Sequence, residues 1–196
     1  METADRPQGV CVWFTGLSGA GKSTVARALV PRLEDAGRTV TVLDVVPILA
    51  KLPGERTSEG KLLRKGFVAS QIAHHGGIAI CVTVSRRRGV REQVRDLVGD
   101  DRFVEVFFDV PAEVAAGRRA ARGRRVPLRK RVRSGARRLA RLLGRGGTGY
   151  EPSPDPDVTV DTAGESPEAC AERILAVLCD RGFLAPEAAQ SPESVA

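Results

Sequence analysis

Gly16, Leu17, Ser18, Gly19, Ala20, Gly21, Lys22 and Ser23, followed by Thr24, fill the pattern G-x-x-x-x-G-K-[ST]. Each residue type has a chemical reason to be there. Three glycines permit a tight loop whose N–H groups converge on phosphate oxygens. A helix starting at Lys22 adds partial positive charge at its N-terminus. Lys22 is expected to reach the β- and γ-phosphates, and the Ser23 hydroxyl to complete a Mg²⁺ shell. The pattern carries weight only between a strand and a helix. Val10–Thr15 is an apolar, β-rich run, and Val25, Ala28, Leu29 and Leu33 recur at helical spacing. The chain is therefore expected to grip a nucleoside triphosphate.

The elements that must position this loop can be read on either side of it. Strands are expected at Val10–Thr15, Thr39–Val45, Ile78–Val84, Phe103–Val110 and Val158–Val160. Helices are expected around 23–36, 61–75, 87–98, 111–122 and 166–181. Near-continuous apolar strands alternating with helices indicate a parallel sheet covered on both faces. The expected class is thus α/β, a P-loop NTPase-type sheet in one domain over 10–184. Residues 1–9 and 185–196 are expected to be flexible tails.

At 196 residues the chain is long enough for a proper core. No apolar run approaches the length of a bilayer span, and "METADRPQG" lacks the form of a secretion signal. Cys11, Cys81, Cys170 and Cys179 form no C-x-x-C pair, which suits a reduced, cytoplasmic protein with no zinc site. Charge is unevenly spread. Between Val114 and Tyr150 there is no acid, but there are 13 Arg and Lys residues; removing these from the net +7 leaves −6 on the rest. Leu128, Val132, Leu139 and Leu143 make an apolar stripe within this stretch. Three explanations compete: a solvated basic face, a nucleic-acid surface, or a lid over phosphates at about 118–150. The second is disfavoured because no aromatic precedes Tyr150 for base stacking. The lid is favoured, since arginines supply the charge neutralisation that phosphoryl transfer needs.

Four stretches come in a telling order: "GLSGAGKSTVARALVPRLEDAGRTVTVLD" at 16–44, "RKGFVASQIAHHGGIAICVTVSRRRGVREQVR" at 64–95, "FVEVFFDVPAEVAAGR" at 103–118, and "GTGYEPSPDPDVTVDT" at 147–162. In these the chain resembles the adenylylsulfate (APS) kinase family, over roughly residues 10–180. The resemblance implies MgATP as phosphoryl donor, a small-molecule hydroxyl as acceptor (in the family, the 3′-hydroxyl of APS), and a homodimer as the assembly to expect. The departures gather where the family holds its acceptor. In the family's L-D-G-D-x-x-R segment Asp44 stands, but Val46 and Leu49 replace the second acid and the arginine. The phenylalanine-bearing G-F-S segment is replaced by "PGERTSEG", and the R-x-x-N pair falls on Ser58 and Lys61. The phenylalanine before the later T-G falls on Gly147. In the I-S-P-Y-R segment Ser85 and Arg88 match, while Arg86 and Arg87 replace proline and tyrosine; the lid's K-G-L-Y reads "RGRR". A stacked base gains about 1–3 kcal/mol per aromatic contact, so losing both faces of that clamp weakens APS binding severely.

The expected roles follow. Asp44, at the end of the second strand, either accepts the acceptor's proton or holds a magnesium-bound water, with a turn or capping aspartate as the plain alternative. Ser23 and Asp44 are the expected metal residues. Lys22, Asp44, Ser85 and Arg88 are the expected catalytic set, Ser85 touching acceptor or γ-phosphate, with Arg91 facing the site beside Arg88. Arg118 and Arg122, one turn apart, are expected to meet the phosphates from above. Asp109 fits a helix cap better than a metal ligand, and His74 and His75 fit a helix end. The reading is a small-molecule kinase whose acceptor is anionic and other than APS. The alternatives are an APS kinase with an atypical site, and an idle nucleotide-binding protein with a basic docking arm.

Overall fold

The computed structural model of the chain describes residues 7–44, 57–124 and 149–186. Most of the expected lid (125–148), the stretch 45–56 with Val46 and Leu49, and most of both expected tails lie outside the described residues.

Five strands, β1 (Val10–Gly16), β2 (Val40–Leu43), β3 (Ile78–Val82), β4 (Phe103–Phe108) and β5 (Val158–Val160), form one parallel sheet in the order β2-β3-β1-β4-β5. The helices between and after them are α1 (Lys22–Asp35), α2 (Ser58–His74), α3 (Arg88–Val98), α4 (Ala112–Arg124) and α5 (Pro167–Asp180). Every residue of β1 and β3 is buried, as their unbroken apolar runs require of strands covered on both faces. The pleat sorts β1 cleanly. Val10, Val12 and Phe14 join a core with α1 and α5, whereas Cys11 and Trp13 join a second core with Ala69 of α2 and Val94 of α3. Cys11 and Cys81 are buried free thiols in that second core. No described helix is long and apolar enough to cross a membrane.

The differences from sequence expectation lie at element ends. β3 and β4 stop earlier than the apolar runs, because apolarity continues off the ladder: Val110 packs in the core without pairing. α2 begins at Ser58 rather than 61, since Thr57 caps it, its Oγ1 accepting from Gly60 N–H at 3.0 Å. Asp109 is not a cap: it precedes α4 by three residues, and its N–H donates to Val160 O at 3.0 Å. A short 3₁₀ turn, Asp100–Arg102, leads into β4.

The chain leaves β1 toward β2 on one side and leaves β4 toward β5 on the other. The crevice at the carboxyl ends of these two strands is where such sheets bind ligands. At the opposite edge, Arg38 ties the chain together: its guanidinium donates to Gln8 O at 2.6 Å, Gly76 O at 3.2 Å and Phe183 O.

Candidate active site

The loop between β1 and α1 sits at that crevice. Gly19 and Gly21 have φ of +98° and +86°, a backbone region costly for side chains. Space forbids side chains as well. A Cβ on Gly19 would lie 2.2 Å from Ala115 O, and one on Gly21 would lie 2.9 Å from Thr162 Oγ1. Gly21 starts α1 without any side-chain cap, so the first-turn N–H groups open onto a cleft of about 190 Å³ lined by Ser18–Ser23, Asp44, Val84 and Arg122.

Lys22 is 6% exposed and folds back on its own loop, donating to Gly16 O at 2.8 Å and Leu17 O at 2.7 Å. Burial, with help from Arg122, brings its ammonium from 10.5 down to about 8, while Asp44 pulls the other way. Ser23 Oγ donates to Asp44 Oδ2 at 2.8 Å. Helix α1 and strand β2 thus bring a hydroxyl and a carboxylate together on the rim of the cleft. This donor set is all oxygen, which suits a hard cation such as Mg²⁺ that takes one or two protein oxygens and completes its shell with phosphates and water. Among the described residues no group of three or more His, Cys, Asp or Glu gathers to hold a metal alone.

A second chamber, of about 470 Å³, adjoins the first between Gly19, Gly21, Arg118, Arg122, Thr162 and Pro167. Thr162 is its keystone. Its Oγ1 donates to Ala20 O at 2.9 Å, while Arg118 donates to Thr162 Oγ1 at 2.9 Å and to Thr162 O at 2.8 Å. Arg118 therefore braces the wall of this chamber, and Arg122, at the exposed end of α4, is shared by both chambers.

Ser85 and Arg88, expected to touch acceptor or phosphate, both have partners within the protein. The Ser85 hydroxyl is 2% exposed and accepts from Trp13 Nε1 at 3.2 Å, with Thr15 Oγ1 at 2.8 Å and Thr83 Oγ1 at 2.9 Å around it. It is the hub of a hydroxyl network that continues from Thr15 to the Tyr150 hydroxyl at 2.8 Å. Arg88 is exposed, pairs with Glu92 one turn along α3 at 2.6 Å, and lines a different cleft beside Ser153–Asp157. Arg91 does not face the phosphate cleft either. It is 1% exposed, donates to Ser85 O and Glu151 O at 2.7 Å each, and lies 2.9 Å from Glu105 Oε1, out of line for a hydrogen bond. Its guanidinium covers the Tyr150 ring at 5.4 Å. Arg91 thus fastens the chain that returns at 149–151. His74 ends α2 as expected.

Sequence reasoning missed Thr162 and Lys65. Thr162 carries no local signal, being defined by contacts with residues some 140 positions away. Lys65 did leave one: a lone lysine on the apolar stripe of α2. Its Nζ donates to Leu43 O, Asp44 O and Val82 O, directly behind the cleft.

Comparison with known proteins agrees with this fold. The family model described as adenylylsulphate kinase matches residues 8–161. An adenylyl-sulfate kinase of Synechococcus sp. (strain JA-3-3Ab) is 35% identical over 182 residues, covering 90% of this chain and 98% of that protein. Another, from Halothermothrix orenii, is 32% identical, covering 90% and 93% respectively. The Mycobacterium tuberculosis APS kinase CysC, solved in complex with AMPPNP and APS, superposes with a TM-score of 0.68 at 27% identity, covering 88% of this chain and 98% of that one.

Proposed function

The chain belongs to the adenylylsulfate kinase family, and on that premise we propose that it transfers the γ-phosphoryl group of MgATP to a hydroxyl of a small anionic acceptor other than adenylylsulfate. Membership makes it a phosphotransferase with a hydroxyl acceptor. The observation that carries the transfer reading is the 2.8 Å contact of Ser23 Oγ with Asp44 Oδ2, beside Lys22 on one cleft.

In this reading Lys22 leaves the carbonyls of Gly16 and Leu17 for the β- and γ-oxygens, recovering its full charge from the phosphates. The nucleoside occupies the larger chamber against Thr162 and Pro167, and Arg122 faces the phosphate chain from the shared wall. Ser23 and Asp44 are the residues that would hold Mg²⁺, which supplies neutralisation of charge on the transferring group. Asp44 orients a water of that shell or receives the acceptor's proton. Water exclusion falls to the arginine-rich stretch 118–150, whose described parts are the end of α4 and residues 149–150.

The acceptor assignment is supported by residue types. Val46, Leu49 and Gly147 offer none of the charge or stacking that the family uses for APS. Arg86 and Arg87 add cations ahead of α3 instead, and Arg87 pairs with Glu59 of α2 at 3.1 Å. A second reading, with APS itself as acceptor, is favoured by the relatives, which are named adenylyl-sulfate kinases at 32–36% identity. The test is ADP release from MgATP with APS on one side and hydroxyl-bearing carboxylates and phosphates on the other. Turnover with an anionic panel member and none with APS is expected. Brisk turnover with APS moves the assignment to the second reading, and failure to bind MgATP at all removes the transfer reading.

A further inference from the structure

Lys65 stands on the buried stripe of α2, in step with Leu62, Ala69 and Ile72. An apolar side chain is the usual occupant of such a position. The lysine is half-buried, and desolvation lowers its proton affinity. Its three ammonium protons go to three main-chain carbonyls: Leu43 O at 2.7 Å, Asp44 O at 2.8 Å and Val82 O at 3.0 Å. No proton is left over for a ligand, since an ammonium has only three donors. What the side chain does is join the carboxyl ends of two neighbouring strands, β2 and β3. One of the three carbonyls belongs to Asp44, whose carboxylate takes the Ser23 hydroxyl at 2.8 Å. Asp44 is thus held from both sides, by α2 at its main chain and by α1 at its side chain. It is also the last described residue before 45–56.

We propose that Lys65 is a positioning residue for phosphoryl transfer: by tying the ends of β2 and β3 together it sets the Asp44 carboxylate against Ser23, where the cation accompanying ATP is received. The inference rests on the kinase reading above. It assigns a task to a residue on the far side of the strand ends, which touches neither nucleotide chamber. Groups that orient metal-binding side chains in this way typically govern metal affinity about ten- to hundredfold.

The experiment is nucleotide calorimetry on the full chain. Lys65→Met removes all three donors and keeps an unbranched stem. Its ADP affinity without magnesium, which depends on the phosphate loop and the chamber against Thr162 rather than on Asp44, is expected to match the unaltered protein. The gain in ATP affinity on adding magnesium is expected to shrink about tenfold or more. Lys65→Arg, which keeps charge and donors, recovers part of that gain. In an Asp44→Asn background, Lys65→Met is expected to change nothing further, because it acts through Asp44. An undiminished magnesium gain in Lys65→Met overturns the proposal. So does an equal loss of magnesium-free ADP binding, or losses that multiply in the double variant. If Lys65→Met does not fold, Lys65→Gln is read by the same criteria. An unaltered protein that binds no MgATP sinks the kinase reading and this inference with it; normal magnesium gain in the unaltered protein with an insensitive variant sinks this inference alone.

Discussion

The two edges of the sheet are held by the same device, a cation donating to three main-chain carbonyls, yet they use different cations. At the amino edge Arg38 joins the approaches to β1 and β3 and the segment after α5, through Gln8, Gly76 and Phe183. At the carboxyl edge Lys65 joins β2 to β3 through Leu43, Asp44 and Val82. Guanidinium is planar, permanently charged and multiply donating, so it suits a fixed knot. The lysine is a compact point charge beside Asp44. One edge is therefore built for integrity, and the other is built around a carboxylate that has work to do. Changes at the two edges should separate stability from nucleotide handling.

The largest separation is expected from Lys22→Ala. MgATP affinity by calorimetry should fall about a hundredfold, since truncating one partner of a buried charged hydrogen bond costs about 2–5 kcal/mol of binding. Unaltered binding would break the comparison at its root. Arg38→Met should do the opposite. Three carbonyls lose a charged donor, so urea unfolding is expected to show a loss of about 3 kcal/mol, with ADP affinity of the folded fraction unchanged. A drop in ADP affinity would mean the edges are not independent.

Next comes pH. Lys22 holds its proton less tightly in the empty protein, at about 8, than in the unfolded chain, at 10.5. Between these values the unfolded state binds more protons, so stability of the empty protein rises with pH across that window. Phosphates restore the charge, so ATP binding above pH 8 takes up a proton and weakens by up to about tenfold per pH unit. Calorimetry at pH 9 in buffers of different ionisation heat measures that uptake, and Lys22→Ala should abolish it. The smallest effect is expected from Arg88→Ala. It removes an exposed pair with Glu92, and both melting temperature and MgATP affinity should stay within error of the unaltered protein.

What was legible in the sequence divides along similar lines. The glycine loop and, among the described residues, the five strands and five α-helices could be read, because burial on both sheet faces writes apolar runs and helix faces write a 3.6-residue period. Element ends were less legible: Val110 is as apolar on the page as a strand residue, though its backbone has left the ladder. Within the site, Ser23 and Asp44 could be paired because each ends or begins an element at the carboxyl edge. Ser85 and Arg88 could not be placed by type. Two partners of Ser85, Trp13 and Thr15, come from strand register, which no local pattern records, whereas Arg88 and Glu92 stand one helical turn apart, a spacing the sequence does show. Arg38 was opaque, and Lys65 showed its place on an apolar stripe but not its partners, for a further reason. They bond to carbonyls, and every residue has one.

Thr162, wedged against Gly21 and bonded to Ala20 O and Arg118, has a consequence for how the protein comes to life. The glycine motif leaves the ribosome some 140 residues ahead of its keystone, which follows only after β5. A nascent or prematurely terminated chain can display the nucleotide signature in full and still lack the piece that braces it. Tight nucleotide capture then waits until synthesis has passed β5.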